Sequence, residues 1–225
     1  MKTISIAIDG PSGAGKSTLA RAIAAELGYL YVDTGAIYRT IGYYTLTHGI
    51  DPKDSAAVAA CLPDIRVELT YGEDGLQHML LNGQDVTAEI RHPEISTYAS
   101  VCAAVPEVRA FLLNTQREVA KTHSVVMDGR DIGTVVLPDA DVKIFLTASA
   151  EVRARRRFLE LQAKGAPDPY ETVLADMVER DRRDSGRAIA PLRQADDAVL
   201  VDTSTLTLEQ SIDTVVRVIL ERIKL

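Results

Sequence analysis

Residues 4–20 read ISIAIDGPSGAGKSTLA, and within them Gly10, Gly15, Lys16 and Ser17 satisfy the spacing G-x-x-x-x-G-K-[ST]. So short a pattern recurs by chance, but here an apolar, β-branched run at 3–8 precedes it and an amphipathic stretch at 17–27 follows it. Strand, glycine-rich loop and helix in that order are what a phosphate-binding P-loop needs mechanically. The small residues Pro11, Ser12, Gly13 and Ala14 allow a tight turn whose N–H groups point inward at phosphate oxygens. The helix behind the turn aims the positive end of its dipole at the same place. Lys16 adds a mobile positive charge for the β- and γ-phosphates, and the Ser17 hydroxyl is the type of group that ligates Mg²⁺.

The remaining chain limits the partners of that loop. Its 225 residues, 46% hydrophobic and 25% charged, suffice for one good core and a small inserted module. A net charge of −7 gives no support to a nucleic-acid partner, which needs a basic face, so local arginine clusters read as sites for small anions. The P-loop comes too early for a signal peptide, and no apolar run approaches the ~20 residues of a membrane span, which predicts a cytoplasmic protein without a membrane partner. Cys61 and Cys102 lie outside any metal or redox spacing and read as buried free thiols. The histidines show no ligand spacing. The acidic composition, poor in apolar patches, favours a monomer.

Further along, a short strand at 29–32 runs into DTGAIYR, 33–39, where Gly35 breaks the strand and a helix is expected over 36–47. Residues at the carboxyl end of such a strand line the ligand crevice, which places Arg39 beside phosphate. Between 50 and 91 the character changes: a short helix over 51–61, then alternating strands at 65–71 and 77–81 with Asn82-Gly83 beyond them predict an antiparallel meander inserted into the βα rhythm. Prolines open two helices at 93–104 and 106–120. Ser100 and Arg109 fall on these helices and read by themselves as ordinary polar positions. An apolar strand at 124–127 leads into DGRDIGT, 128–134, whose charged and glycine residues past a strand end mark a functional loop. Another strand follows at 142–147, then a helix carrying Arg153, Arg155, Arg156 and Arg157, which cannot all share one face. A loop at 164–169, a helix at 170–182, a polar loop at 183–191, a strand at 198–202 and a closing helix at 206–223 complete the chain. Five short apolar strands separated by helices predict an α/β fold with a doubly wound parallel sheet.

A P-loop implies a nucleoside triphosphate. A GTPase would need N-K-x-D and D-x-x-G; the two asparagines, Asn82 and Asn114, precede Gly83 and Thr115, and no aspartate has a glycine three positions on. Among kinases, a hydroxyl acceptor needs a carboxylate base, whereas a phosphate monoester is largely an anion at neutral pH and needs charge neutralisation instead. The supply of arginines, with Arg39, Arg109, Arg130, the 153–157 group, Arg180 and Arg187, favours a phosphate acceptor. A kinase of a hydroxyl acceptor with Asp33 or Asp131 as base stays open, and so does a nucleotide-binding regulator without turnover.

The motifs GPSGAGKST, DTGAIYR, DGRDIGT and RDRRDSGRAIAPL together resemble the bacterial cytidylate kinases, within the P-loop nucleoside monophosphate kinases, along essentially the whole chain. The resemblance implies transfer of a phosphoryl group from ATP to CMP or dCMP, with Mg²⁺. It implies one kinase domain, with a core at 1–33, 93–150 and 168–225, a nucleoside-monophosphate insert at 34–92 and a mobile helical lid at 151–167. ATP would lie on Gly10 through Thr18 and on Arg157; Lys16, Arg130, Arg156 and Arg187 would act on the transferring group. Thr34 and Arg39 would touch the acceptor phosphate, with threonine standing where similar proteins often carry serine. Ser100, Arg109 and Asp131 would read the base. Arg130, Arg180 and Arg187 would hold phosphate, with Arg180 and Asp184 near the ribose. Chemistry agrees for the base: a carboxylate accepts from the cytosine amine, while uracil presents a carbonyl there.

Overall fold

A computed structural model describes residues 3–163, 165 and 168–223. Its five-stranded parallel sheet runs β2-β6-β1-β7-β8, with β1 at Ser5–Asp9, β2 at Leu30–Asp33, β6 at Val125–Gly129, β7 at Val142–Thr147 and β8 at Val199–Asp202. Strand β1 pairs β7 with Ile6 opposite Val142, and β7 pairs β8 with Ile144 opposite Val199. The chain order reverses across β1, so the carboxyl end of that strand is where an α/β sheet opens a ligand crevice. The α/β architecture is the one expected, and a three-stranded antiparallel sheet accompanies it.

The chain divides into two compact units. One comprises Ile4–Gly28 and the chain from Val126 onward. Its helices are α1 (Lys16–Leu27), α6 (Ala150–Ala163), α7 (Tyr170–Ser185) and α8 (Leu208–Ile223). Ile6, Ile8, Leu19, Ile23, Ile144, Leu146, Val215 and Ile219 are buried there. A satellite cluster of Ala154, Val173 and Met177, flanked by Phe158 and Tyr170 in an edge-on ring contact, joins α6 to α7. Helix α7 continues to Ser185 and so includes Asp184, which the sequence placed in a loop. DGRDIGT likewise is no open loop: β6 runs through Gly129, and Ile132–Val136 forms a π-helical turn. The expected loop at 164–169 and the end of the expected lid fall partly outside the described residues.

The other unit contains Tyr29–Val125. Its helices are α2 (Thr34–Thr47), α3 (Ser55–Cys61), α4 (Pro93–Cys102) and α5 (Pro106–Thr122), and its meander is β3 (Val67–Tyr71), β4 (Gln77–Leu81) and β5 (Gln84–Asp85). Asn82 and Gly83 both take positive φ, 51° and 84°, as a tight hairpin turn demands. Helix α2 starts two residues earlier than expected because the Asp33 side chain accepts from the Ala36 N–H at 2.9 Å, capping the first turn. Helix α3 starts later, at Ser55, for the same reason: Asp54 caps the Ala57 N–H. Ile37, Ile41, Val58, Met79, Val108 and Leu112 fill the core between these helices and the meander. Helix α2 crosses α4 so closely at Gly42 that a Cβ there would lie 2.7 Å from the Ala99 nitrogen. Cys61 and Cys102 are buried free thiols. Among the described residues no helix is long and apolar enough to cross a membrane.

Candidate active site

The P-loop leaves the carboxyl end of β1. Gly10, at φ 152°, is required by close approach, since a Cβ would lie 1.9 Å from the Leu146 carbonyl oxygen. Gly15 occupies the N-cap of α1 in the left-handed region and contributes no side-chain cap, which leaves the first amides of that helix to an anion. The Lys16 ammonium is buried and donates to the Pro11 carbonyl at 2.7 Å across the loop. Burial above all, then the field of Arg130, pushes its pKa down to about 7, with Arg180 adding to the effect. A triphosphate would supply the negative charge that this ammonium lacks.

Ser17, at the start of α1, donates its hydroxyl to Asp128 Oδ2 at 2.9 Å. A hydroxyl and a carboxylate oxygen together are hard donors of the kind Mg²⁺ takes alongside phosphate oxygens and waters. Among the described residues no group of three or more His, Cys, Asp or Glu suits a metal, so further ligands would have to come from nucleotide and solvent.

Around Asp184 the arginines converge. Arg130 Nε donates to Asp184 Oδ2 at 2.8 Å, and Arg187 pairs with Oδ1 of the same carboxylate. Burial raises the Asp184 pKa, but Arg130, Arg187 and Arg180 outweigh it and the net displacement is downward. Three guanidinium groups around one carboxylate leave positive charge for a bound anion to match.

The arginine-rich helix separates into distinct roles. Arg153 is buried and donates to the Ser12 carbonyl of the P-loop at 3.0 Å while pairing with Asp181 at 2.6 Å. It is this residue, unremarked in the sequence beyond its cluster, that touches the P-loop backbone. Arg156 donates to the Thr203 carbonyl at 2.8 Å, and Arg157 pairs with Glu160 at 2.8 Å. Arg155 is exposed.

In the unit that contains α2, the candidates take other forms. Arg39 pairs with Asp33 Oδ2 at 2.7 Å, so both oxygens of Asp33 are engaged, one by the helix cap and one by the guanidinium. That leaves Asp33 poorly placed as a general base. Gln77 of β4 clasps the Asp33 backbone at both N–H and carbonyl, at 2.7 and 3.1 Å, which ties the meander to the carboxyl end of β2. Thr34 is buried. Ser100 and Arg109 are buried as well, contrary to their plain appearance in the sequence. The Arg109 guanidinium lies 5.4 Å from the Tyr38 ring centroid and donates to the Ala103 carbonyl at 3.2 Å. Helix periodicity does place Arg109 on the stripe of Val108 and Leu112; that placement was the available signal. Asp9 and Gln77 carried no motif of their own.

An uncapped helix terminus, a buried lysine whose proton is loosened by its surroundings and a carboxylate ringed by arginines suit a P-loop phosphotransferase. The sequence then narrows the class: it matches the cytidylate kinase family over residues 6–221, and the chain belongs to that family. It is 47% identical over 226 residues to a cytidylate kinase of Caldicellulosiruptor bescii, with 100% of this chain and 99% of that protein covered. A cytidylate kinase of an Exiguobacterium species is 48% identical, with 98% of each chain covered. Among solved structures, an uncharacterized protein from Eubacterium ventriosum shares the fold with a TM-score of 0.51 at 12% identity, covering 96% of this chain and 97% of that one.

Proposed function

We propose that the protein transfers the γ-phosphoryl group of ATP to CMP or dCMP, giving CDP or dCDP and ADP. The observation that carries this reading is the set of three arginines, Arg130, Arg180 and Arg187, around the single carboxylate of Asp184. An acceptor that is itself a phosphate monoester brings its own nucleophile and needs its charge neutralised rather than its proton removed. In this reading the P-loop amides, Lys16, Thr18 and Arg157 hold ATP, and Lys16, Arg130, Arg156 and Arg187 stabilise charge on the transferring group. In the same reading, Thr34 and Arg39 contact the acceptor phosphate; Arg130, Arg180 and Arg187 hold phosphate, and Asp184 and Arg180 flank the ribose. Ser100, Arg109 and Asp131 read cytosine. Mg²⁺, held at Ser17 with Asp128 next to it, supplies neutralisation of the β- and γ-phosphates when bound. We assign the chain to one kinase domain with its insert at 34–92 and lid at 151–167, acting as a cytoplasmic monomer.

The test is phosphoryl transfer from ATP to a panel of CMP, dCMP, UMP, AMP and hydroxyl acceptors. CMP and dCMP should yield ADP well ahead of the others. Equal rates with UMP would overturn the base assignment, and turnover of a hydroxyl acceptor alone would overturn the acceptor class. Arg130→Ala should lower turnover with CMP by about 100-fold or more, as loss of a charge stabiliser does.

A further inference from the structure

Asp9 ends β1, immediately before the P-loop, and is 4% exposed. Among the described residues, its two carboxylate oxygens serve neither the loop that follows nor any cation in hydrogen-bond contact. Oδ1 accepts from the Ile132 N–H at 2.8 Å and Oδ2 from the Gly133 N–H at 2.7 Å. Those amides open the π-helical turn Ile132–Val136, and the residue at the cap position of that turn is Asp131. Aspartate is among the best N-capping residues, and a cap normally accepts from the amides two and three positions on. Asp131 makes no such bond with its own side chain. A carboxylate 122 positions away in the chain holds the first two amides of the turn, and that of Gly133 is one of the pair a cap at Asp131 would use.

We infer that Asp9 is a positioning residue for specificity: by binding the amides of the two residues that follow Asp131, it fixes the start of the turn and with it the place of the Asp131 carboxylate for the nucleotide base. This rests on the reading of Asp131 as the group that accepts from the cytosine amine. Gly133 is part of the arrangement, because a Cβ there would lie 3.1 Å from Lys143 Cδ and 3.4 Å from Asp9 Oδ2. The burial of Asp9 raises its pKa to about 7 against the opposing pull of the two amides, so the carboxylate occupies a place unfavourable to its charge. A carboxylate kept there at such a cost to folding is expected to serve the site.

Asp9→Asn keeps the shape but replaces one acceptor by an amide donor, which then faces a backbone N–H. In the full chain, it should lower the preference for CMP over UMP, read as the ratio of kcat/KM values, by about 10-fold or more, the usual weight of a bond to a charged group. KM for ATP should stay within about threefold, because the acceptor side carries the change. Asp131→Asn should lower the same ratio, and the double variant should be no less selective than Asp131→Asn alone, since residues acting as one unit are not additive. A uniform loss of rate in Asp9→Asn with the CMP preference kept would overturn the inference while leaving the role of Asp131 intact. An Asp131→Asn enzyme with unchanged preference would overturn the base reading and the inference with it. Should Asp9→Asn fail to fold, Gly133→Ala keeps the carboxylate and displaces the turn; the same selective loss supports the inference and an unchanged preference overturns it.

Discussion

The two units of this molecule differ in how much charge they bury. In the one that carries the P-loop, Asp9, Lys16, Asp128, Asp131, Arg153 and Asp184 are all buried. Several are bound directly to one another's elements: Arg153 to Asp181 and the Ser12 carbonyl, Arg130 and Arg187 to Asp184. In the other, Arg109 is the buried charged residue among those described; its guanidinium lies against the Tyr38 ring and donates to the Ala103 carbonyl. Its ion pair Arg39–Asp33 keeps 23% and 19% of the side chains exposed, enough for water to screen it. A unit that neutralises phosphate needs concentrated charge and backbone amides. In the reading proposed above, the other unit meets the acceptor over an apolar core.

The largest effect should come from removing the centre of the charged network. Asp184→Ala leaves Arg130 and Arg187 without their shared partner, and breaking a buried pair from one side costs about 3–5 kcal/mol. For a chain of this size that corresponds to a fall in Tm of roughly 10 °C, with turnover lower by about 100-fold or more. Arg39→Ala, by contrast, should cost under about 1 kcal/mol of stability, as partly exposed pairs do. Thermal melts of the two variants side by side check the contrast; equal losses would break it.

A smaller effect should follow from packing in the other unit. Gly42→Ala puts a Cβ 2.7 Å from the Ala99 nitrogen and 3.0 Å from the Ile95 carbonyl oxygen, both backbone atoms that cannot rotate away. Helices α2 and α4 must separate, at about 1–3 kcal/mol as overpacked cores show. Because α4 also carries Ser100, KM for CMP should rise a few-fold while KM for ATP holds. A change in KM for ATP instead would blur the division of labour drawn above.

The same contrast explains what could be read from the sequence. The P-loop and DGRDIGT announce themselves because backbone geometry there demands glycine and charge at fixed spacing, as the 1.9 Å approach at Gly10 shows. The five strands and the meander were legible from apolar runs and the Asn82-Gly83 turn. Helix starts were misplaced, late at α2 and early at α3, because the apolar pattern does not show which aspartate caps the first turn; Asp33 and Asp54, each immediately before its helix, do so. Ser100 and Arg109 looked ordinary because their significance lies in burial by elements distant in the chain. Asp9 was invisible for a related reason: its partners, Ile132 and Gly133, are 123 and 124 residues away and contribute only backbone.

The smallest effect is also the one that ties charge burial to nucleotide binding. With a pKa depressed to about 7, mainly by burial and then by Arg130, native Lys16 holds its proton less tightly than in the unfolded chain. Its contribution to stability is therefore intact above the ordinary lysine value of 10.5 and is lost as pH falls toward about 7. Asp9 runs the other way: raised to about 7 by burial, it contributes fully below the ordinary aspartate value of 3.8 and loses that contribution as pH rises toward about 7. Near neutrality both groups subtract from the stability of the nucleotide-free protein. Lys16→Met removes one of them, so its Tm relative to the parent should be highest near pH 7 and should decline toward pH 10; the opposite slope would contradict the assignment. Nucleotide should reverse the same deficit in the parent chain. ATP brings anionic oxygens to the ammonium and restores its proton, so binding at pH 8 should take up a fraction of one proton, read as a difference in calorimetric heat between buffers of unlike ionisation enthalpy. Lys16→Met should abolish that uptake, while Arg39→Ala, whose charge lies in the other unit and is already paired, should leave it in place.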